Sequence, residues 1–523
     1  MIFSNDKVSN STMTSVANKR IAKNTLMLYF RQLLILFVSL YTVRVVLDEL
    51  GIEDYGVYGA IGGLVALSAF LPGSLAQATQ RFFSFALGGG DVGQLRKTFS
   101  VNLVLYLVVA FIAYGLIQTL GMWFVNTQLV IPDGRFDAAK TLYHYAAFTF
   151  LISIITTPFM AIIMAHEDMK IYAYISILEA FMKLGVVFLL QYISLDKLEL
   201  YGALLFFVGI INAVVYVGVC FVRYEECQFR KIYWDSGLLK EIIGFTGWTV
   251  FGQISTVARS HAVTVLLNQS FSPAVVAARA LSVQIANQVN IFSANFNSSL
   301  YPPIIKSYAA NDQENMFALI AIGSKITFFL LWVFALPMML EMEIILSIWL
   351  TVVPADAVLF SRLALIEALI VSISMPLTAA ARAPGKMKLY ELTLGIIQIG
   401  IFFAAWGVIS AGAAAYSVFV VAIAANILMF SVRLYLVNIL IGLSIKNFLK
   451  GTVFPVMCIA IISGVPVVVL EEITPEGFYW SVLVMLFCFI LSTTAMYFIG
   501  LDKTWRIKIR GLICSRISRL KIQ

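Results

Sequence analysis

Fourteen apolar runs separated by short polar stretches organise the chain: 24–47, 57–79, 98–125, 139–164, 171–192, 200–222, 242–267, 274–300, 317–340, 357–381, 389–410, 412–437, 451–470 and 477–500. A helix needs about 20 predominantly apolar residues to cross the hydrocarbon core, so the pattern predicts fourteen transmembrane helices. The runs are long and continuous rather than alternating, which excludes an outer-membrane barrel. With short connections and no inserted soluble domain, the expected class is an all-α polytopic membrane protein.

Composition agrees. Of 523 residues, 61% are apolar and 12% charged, against about 45–50% and about 25% in soluble domains. A soluble enzyme, a disordered chain and a nucleic-acid module are excluded. The net charge of +8 then reads as a topology signal. Of the 36 Lys and Arg, 26 fall on the side of the N-terminus, three on the opposite side and seven within spans. By the positive-inside rule both termini are cytoplasmic. The polar first 23 residues and the full-length first run offer no cleavable signal. Cys220, Cys458 and Cys488 fall in spans, and Cys227 and Cys514 on the cytoplasmic side, so no external disulfide is expected. His144, His166 and His261 lack metal-ligand spacing, and no cofactor, metal or catalytic group is implied.

The chain reads as doubled. An offset of about 221 residues lays Ile21, Thr25, Phe30 and Gln32 on Ile242, Thr246, Phe251 and Gln253. Six spans per half would make the repeats parallel, with a substrate cavity between two pseudo-symmetric lobes, as in many transporters. The expected organisation is a first lobe over 1–222, a cytoplasmic linker over 223–241, a second lobe over 242–437, two extra spans within 438–500, and a basic tail over 501–523. In that tail Trp505, Ile509, Leu512, Ile513, Ile517 and Leu520 recur at helical spacing among Lys508, Arg510, Arg516 and Arg519. This predicts an interfacial helix drawn to anionic lipid.

Polar residues inside spans are costly and therefore informative. The basic ones are Arg31, Arg44, Lys183, Arg259, Arg279, Lys325 and Arg362; the acids are Glu179, Glu367 and Glu391. Glu179 and Lys183 stand at i,i+4 and either neutralise one another or exchange a proton during transport. Glu367 has no local partner in sequence, which makes it, with Glu179 and Lys183, a candidate for ion coupling. The seventh span carries Gln253, Arg259, Ser260 and His261. On the eighth, Arg279, Asn287, Asn290 and Asn297 fall within about an 80° arc at 100° per residue, and Gln284, Gln288 and Asn295 widen it to about half the helix. Lipid cannot satisfy these groups, so that face is either interhelical hydrogen-bond glue or the wall of a hydrated cavity. Gln77, Gln80 and Arg81 at the end of the second span, with Arg31 on the first, would form the opposite wall. Guanidinium groups match phosphate oxygens, and amides match sugar hydroxyls. Tyr29, Trp248 and Tyr301 could stack on sugar faces. Gly88-Gly-Gly90 lacks the Gly-Lys-Ser/Thr of a nucleotide loop and reads as a turn.

Arg20-Ile-Ala-Lys-Asn-Thr-Leu-Met-Leu-Tyr-Phe-Arg31, Ser39-Leu-Tyr-Thr-Val-Arg44, Leu50-Gly-Ile-Glu-Asp-Tyr-Gly-Val-Tyr58 and Ala78-Thr-Gln-Arg-Phe82 resemble bacterial polysaccharide-transport flippases. These form the O-antigen or lipopolysaccharide branch of the multidrug/oligosaccharidyl-lipid/polysaccharide exporter superfamily. The resemblance covers about the first 90 residues. It implies alternating access by two six-helix lobes in the bacterial inner membrane, carrying an undecaprenyl-pyrophosphate-linked oligosaccharide. Arg31, Arg81, Arg259 and Arg279 would meet the pyrophosphate; a polysaccharide polymerase and glycosyltransferases would be partners. A lipid II flippase and a multidrug or metabolite cation antiporter are the rival readings, although the first span lacks the acid expected of many cation-coupled exporters.

Overall fold

The computed structural model describes residues 5–66, 70–129, 131–132, 134–228, 232–350, 353–475, 477–500 and Arg506. Among these, every regular element is helical. The order begins with α1 (Asn5–Ala66, broken at Gly51), α2 (Phe70–Gly89), α3 (Val92–Leu116) and α4 (Met122–Thr127). It continues with α5 (Phe136–Ala165), α6 (Met169–Tyr192), α7 (Lys197–Arg223), α8 (Ser236–Ser270), α9 (Pro273–Ala309), α10 (Gln313–Leu340) and α11 (Met342–Trp349). The remainder are α12 (Ala357–Ile373), α13 (Met375–Arg382), α14 (Met387–Ser410), α15 (Ser417–Ile441), α16 (Ile445–Phe448), α17 (Phe454–Ile473) and α18 (Phe478–Ala495).

A helix lies in each of the fourteen predicted runs. Among the described residues, ten helices are long and apolar enough to cross a membrane, or eleven if the bent pair Glu53–Val65 and Phe70–Gly89 is one span. The chain is a multi-pass membrane protein. The polar α8 and α9 fall outside that count because their amides and cations lower their hydropathy. The predicted break at Ser410-Ala-Gly412 is real: α14 ends at Ser410, Gly412 takes φ +89°, and α15 starts at Ser417. The expected tail helix lies outside the described residues, Arg506 excepted.

The chain divides into two compact units. Unit 1 comprises Met1–Gln253, Tyr301–Asn315 and Gly385–Lys388; unit 2 comprises Ile254–Leu300, Met316–Pro384 and Leu389–Gln523. Each has its own apolar interior. In unit 1, Val46, Ile61, Leu142, Val187 and Leu198 pack together, and a second cluster gathers around Phe99, Phe159 and Cys220. In unit 2, Leu331, Leu346, Phe360, Leu365 and Val456 share one cluster. Large apolar side chains also point outward, as with Phe111 at 79% and Val222 at 91% exposure, which suits a surface bathed in lipid. Because lipid removes the hydrophobic drive for helix association, packing and interhelical hydrogen bonds hold the helices together. In unit 2, Ser293 donates to the Thr327 carbonyl (2.6 Å), Thr327 to the Ser372 carbonyl (2.9 Å), and the Trp332 indole to Ser463 (2.9 Å). In unit 1, Thr79 donates to Asn102 Oδ1 at 2.9 Å and the Tyr106 hydroxyl to the Leu75 carbonyl at 2.7 Å.

Local chemistry sets the helix starts. Asp91, Asp196 and Asp235 accept from backbone amides of the helix that each precedes, at 2.9–3.1 Å, satisfying donors that have no intrahelical partner. Gly88-Gly-Gly90 does more than turn. Gly90 takes φ +69°, while a Cβ on Gly88 would lie 2.7 Å from the Lys306 carbonyl oxygen and 2.8 Å from its Cα. Only glycine lets α2 approach the last turn of α9 so closely.

The corner between α5 and α6 is a polar node within unit 1. Glu167, at φ +62°, accepts from Lys306 Nζ at 2.7 Å and lies 3.3 Å from Arg20 Nε. Its carbonyl accepts from Asn24 at 2.9 Å. His166 stacks on Tyr224 (centroids 4.4 Å apart) and meets Glu226 at 2.6 Å, while the Tyr224 hydroxyl donates to Asp168 at 2.8 Å. Burial pulls the Lys306 ammonium below its usual range, and Glu167 opposes that shift.

Candidate functional site

Three helices of unit 2, α8, α9 and α12, turn polar positions onto a common cavity of about 310 Å³. On α8, Thr256, Arg259, Ser260 and Val263 are spaced three and four apart and so share one face. The same spacing on α9 brings Arg279, Asn287 and Asn290 to the cavity, and on α12 it brings Glu367. From α15, Val418, Phe419 and Ala422 close the wall with apolar surface.

Glu367 is the centre of this arrangement. Its Oε1 lies 3.7 Å from Arg259 Nη1 and accepts from Asn426 Nδ2 at 3.0 Å. The partners that the local sequence withholds are thus supplied by α8 and α15. Arg279 Nη1 donates to Thr264 Oγ1 at 2.5 Å. Arg259 Nε and Asn290 Oδ1 are buried with no hydrogen-bond partner among the described residues. Buried polar groups normally find partners, and both residues line this cavity. The cavity holds two guanidinium groups and one carboxylate.

Unit 1 has a cavity of about 410 Å³ with the same balance. Arg31, on α1, lies with its Cζ 4.7 Å from the Tyr172 ring centroid. On α6, Glu179 pairs with Lys183 at 2.7 Å and accepts from Asn212 Nδ2, on α7, at 3.1 Å. Again two cations face one carboxylate, with Ser176 and Tyr201 also on the wall.

The remaining predicted residues lie elsewhere. Arg81 is 3% exposed and lines neither cavity. Its guanidinium sits 4.7 Å, 4.8 Å and 5.8 Å from the ring centroids of Phe82, Phe85 and Phe245, and 3.5 Å from Glu241 Oε1. A Cβ on Gly385, at φ +80°, would lie 2.8 Å from Arg81 Nη2, so the backbone presses directly on the guanidinium. This is the setting of a structural pin. Gln77 accepts through its backbone carbonyl from the Tyr301 hydroxyl at 3.3 Å. Gln80 is buried, Gln253 and Asn297 are half-buried, and none of the three lines either cavity. Residues read from sequence as one cationic set therefore occupy three local environments. Asn212 and Asn426 are not among the site residues expected from sequence. Asn212 is the one amide of α7 and was legible as such, whereas α15 also carries Arg433 and Asn438, so nothing local singles out Asn426.

Comparison with known proteins sharpens the fold. No family model matches the sequence, and no curated protein matches it either. Solved structures do. A MATE transporter in its bent conformation aligns with TM-score 0.70 at 13% identity, over 81% of this chain and 96% of its own. An outward-facing multidrug resistance MATE family transporter of the MOP superfamily gives 0.68 at 13%, over 82% and 96%. An aspartate-to-asparagine mutant of a Vibrio cholerae MATE transporter gives 0.63 at 15%, over 84% and 100%. The chain has the fold of MATE transporters.

Proposed function

We propose that this protein is a flippase moving a lipid-linked, undecaprenyl-pyrophosphate-bound oligosaccharide across the bacterial inner membrane by alternating access. The observation that carries this reading is charge: each of the two polar cavities pairs two cationic side chains with one carboxylate. A net positive cavity of low dielectric repels organic cations and attracts oxyanions, because charge left uncompensated away from water is costly. The guanidinium groups of Arg259, Arg279 and Arg31 supply planar donors for phosphate oxygens, while Asn287 and Asn290 offer donors and acceptors for hydroxyls. The MATE fold supports a transporter. A cavity of about 310 Å³ accommodates a pyrophosphate headgroup rather than a whole oligosaccharide.

A second reading has its own support. One structure that shares this fold is a multidrug resistance transporter, and Glu179 or Glu367 would be the acid of a cation antiporter. The test is a reconstituted vesicle assay offering, in turn, a fluorescent lipid-linked oligosaccharide and a fluorescent organic cation. Translocation of the first, lowered about 10–100-fold by Arg279→Ala through loss of charge-assisted hydrogen bonds, supports the flippase. Transport of the cation alone, abolished by Glu367→Gln, establishes the antiporter. Lipid II offered in the same assay separates the two flippase readings.

A further inference from the structure

Glu367 sits among groups that make its charge conditional on what the cavity holds. Facing it are Arg259 from α8, Arg279 from α9 and Asn426 from α15, while the wall contributed by α14, at Ile401, is apolar. No further titratable side chain lines this cavity among the described residues. With Glu367 ionised the empty cavity carries one excess positive charge. A monoanion brings it to neutrality. A dianion overshoots to one excess negative charge, and protonation of Glu367 restores neutrality.

We propose that Glu367 is a protonatable counter-ion in an oxyanion subsite, so that a dianion entering between Arg259 and Arg279 binds together with one proton, whereas a monoanion binds without one. The inference rests on the anionic-cargo reading and deepens it by linking anion charge to proton uptake. Asn426 serves both states of the acid. Its Nδ2 donates to the ionised Oε1, and an amide carbonyl oxygen can accept from a protonated carboxyl. The partnerless Arg259 Nε and Asn290 Oδ1 flank the entering group, one a donor for a phosphate oxygen and the other an acceptor for a hydroxyl beside it. The balance involves no bond breaking: the proton comes from solvent and leaves with the anion.

The experiment is isothermal titration calorimetry on the purified full chain, with dimethyl pyrophosphate as the dianion and dimethyl phosphate as the monoanion. Both probes keep fixed charge between pH 6 and 8, as phosphate diesters are strong acids. Buffers of different ionisation heat report protons taken up on binding. The expected result is uptake approaching one proton per dianion and none per monoanion, with dianion affinity falling by up to about tenfold per pH unit on the alkaline side. Glu367→Gln should bind the dianion without proton uptake or pH dependence. On the wild type itself, difference infrared spectra should gain a protonated-carboxyl band with the dianion and not with the monoanion. Dianion binding without proton uptake, uptake unchanged in Glu367→Gln, or no dianion binding at all would overturn the inference. Failure of the wild type to move a lipid-linked oligosaccharide overturns the cargo reading instead, and leaves the calorimetric result standing as a separate measurement.

Discussion

Asn426 Nδ2 donates to Glu367 Oε1 at 3.0 Å, and Asn212 Nδ2 donates to Glu179 Oε2 at 3.1 Å. In each unit a lone amide holds the carboxylate of a cationic cavity in place. The bond at Glu367 is the more deeply set, since Glu367 is 21% exposed and Glu179 32%. Hydrogen bonds to charged groups contribute about 1.5–3 kcal/mol. Asn426→Ala should lower stability by an amount in that range, and Asn212→Ala by less. Thermal melting of the detergent-solubilised protein checks the order; equal effects would show that the two carboxylates are equally well hydrated.

Arg81 is held as a planar cation among Phe82, Phe85 and Phe245, with its Glu241 partner 54% exposed. An exposed partner is hydrated when its cation is removed, so packing and ring contacts dominate over the ion pair. Arg81→Lys keeps the charge but loses the flat guanidinium, and should destabilise by about 1–2 kcal/mol. Wild-type melting behaviour in Arg81→Lys would show that charge alone matters there, and would return Arg81 to the set of cargo ligands.

Gly88 admits no side chain. A Cβ there meets the backbone of Lys306 at 2.7–2.8 Å, and backbone cannot swing aside as a side chain can. Gly88→Ala should therefore separate α2 from the end of α9 and destabilise by about 1–3 kcal/mol. Gly89→Ala is the control, since a Cβ at Gly89 meets nothing within 4 Å. Similar melting temperatures for the two variants would contradict the close approach.

Glu167 binds both Arg20 and Lys306 while holding a left-handed backbone. Glu167→Gln keeps the shape and removes the ion pairs, leaving a half-buried ammonium with only the more distant charge of Asp168 to support it. A loss of about 1–3 kcal/mol is expected, together with a further fall in the pKa of Lys306, already drawn down by burial. Reactivity of Lys306 toward an amine-selective reagent at fixed pH measures the second effect. No rise in reactivity would show that Glu167 does not sustain the lysine charge.

Asp196 caps α7 and pairs with Arg135, which also binds Asp54. Burial pushes the Asp196 carboxyl up, but hydrogen bonds from Arg135 and the Glu199 amide outweigh it and hold the group below its usual range. A depressed carboxyl pKa stabilises the fold fully above the unfolded carboxylate range near pH 4, and that contribution is lost as pH falls through the folded value. The pair is partly exposed, so its worth is about 1 kcal/mol or less. Arg135→Ala should flatten the decline of the melting temperature between pH 5 and pH 3. An unchanged slope would assign the acid sensitivity to other carboxylates.

Apolar runs long enough to cross a bilayer determine helices wherever they occur, because hydrocarbon leaves the backbone no partner but itself. For that reason the fourteen helical positions and the break before Ser417 were legible in the chain, and so was the polarity of α8 and α9. The i,i+4 pair of Glu179 and Lys183 was legible too, since both residues stand on one helix. What lies opposite a side chain on another helix depends on tertiary packing, which local spacing does not encode. Only the structure placed Asn426 and Arg259 on Glu367, sank Arg81 among aromatic rings, and divided the arginines among separate environments. Helix formation in a membrane is a local response to solvent, while the charge state of a cavity is set by groups brought together from distant parts of the chain.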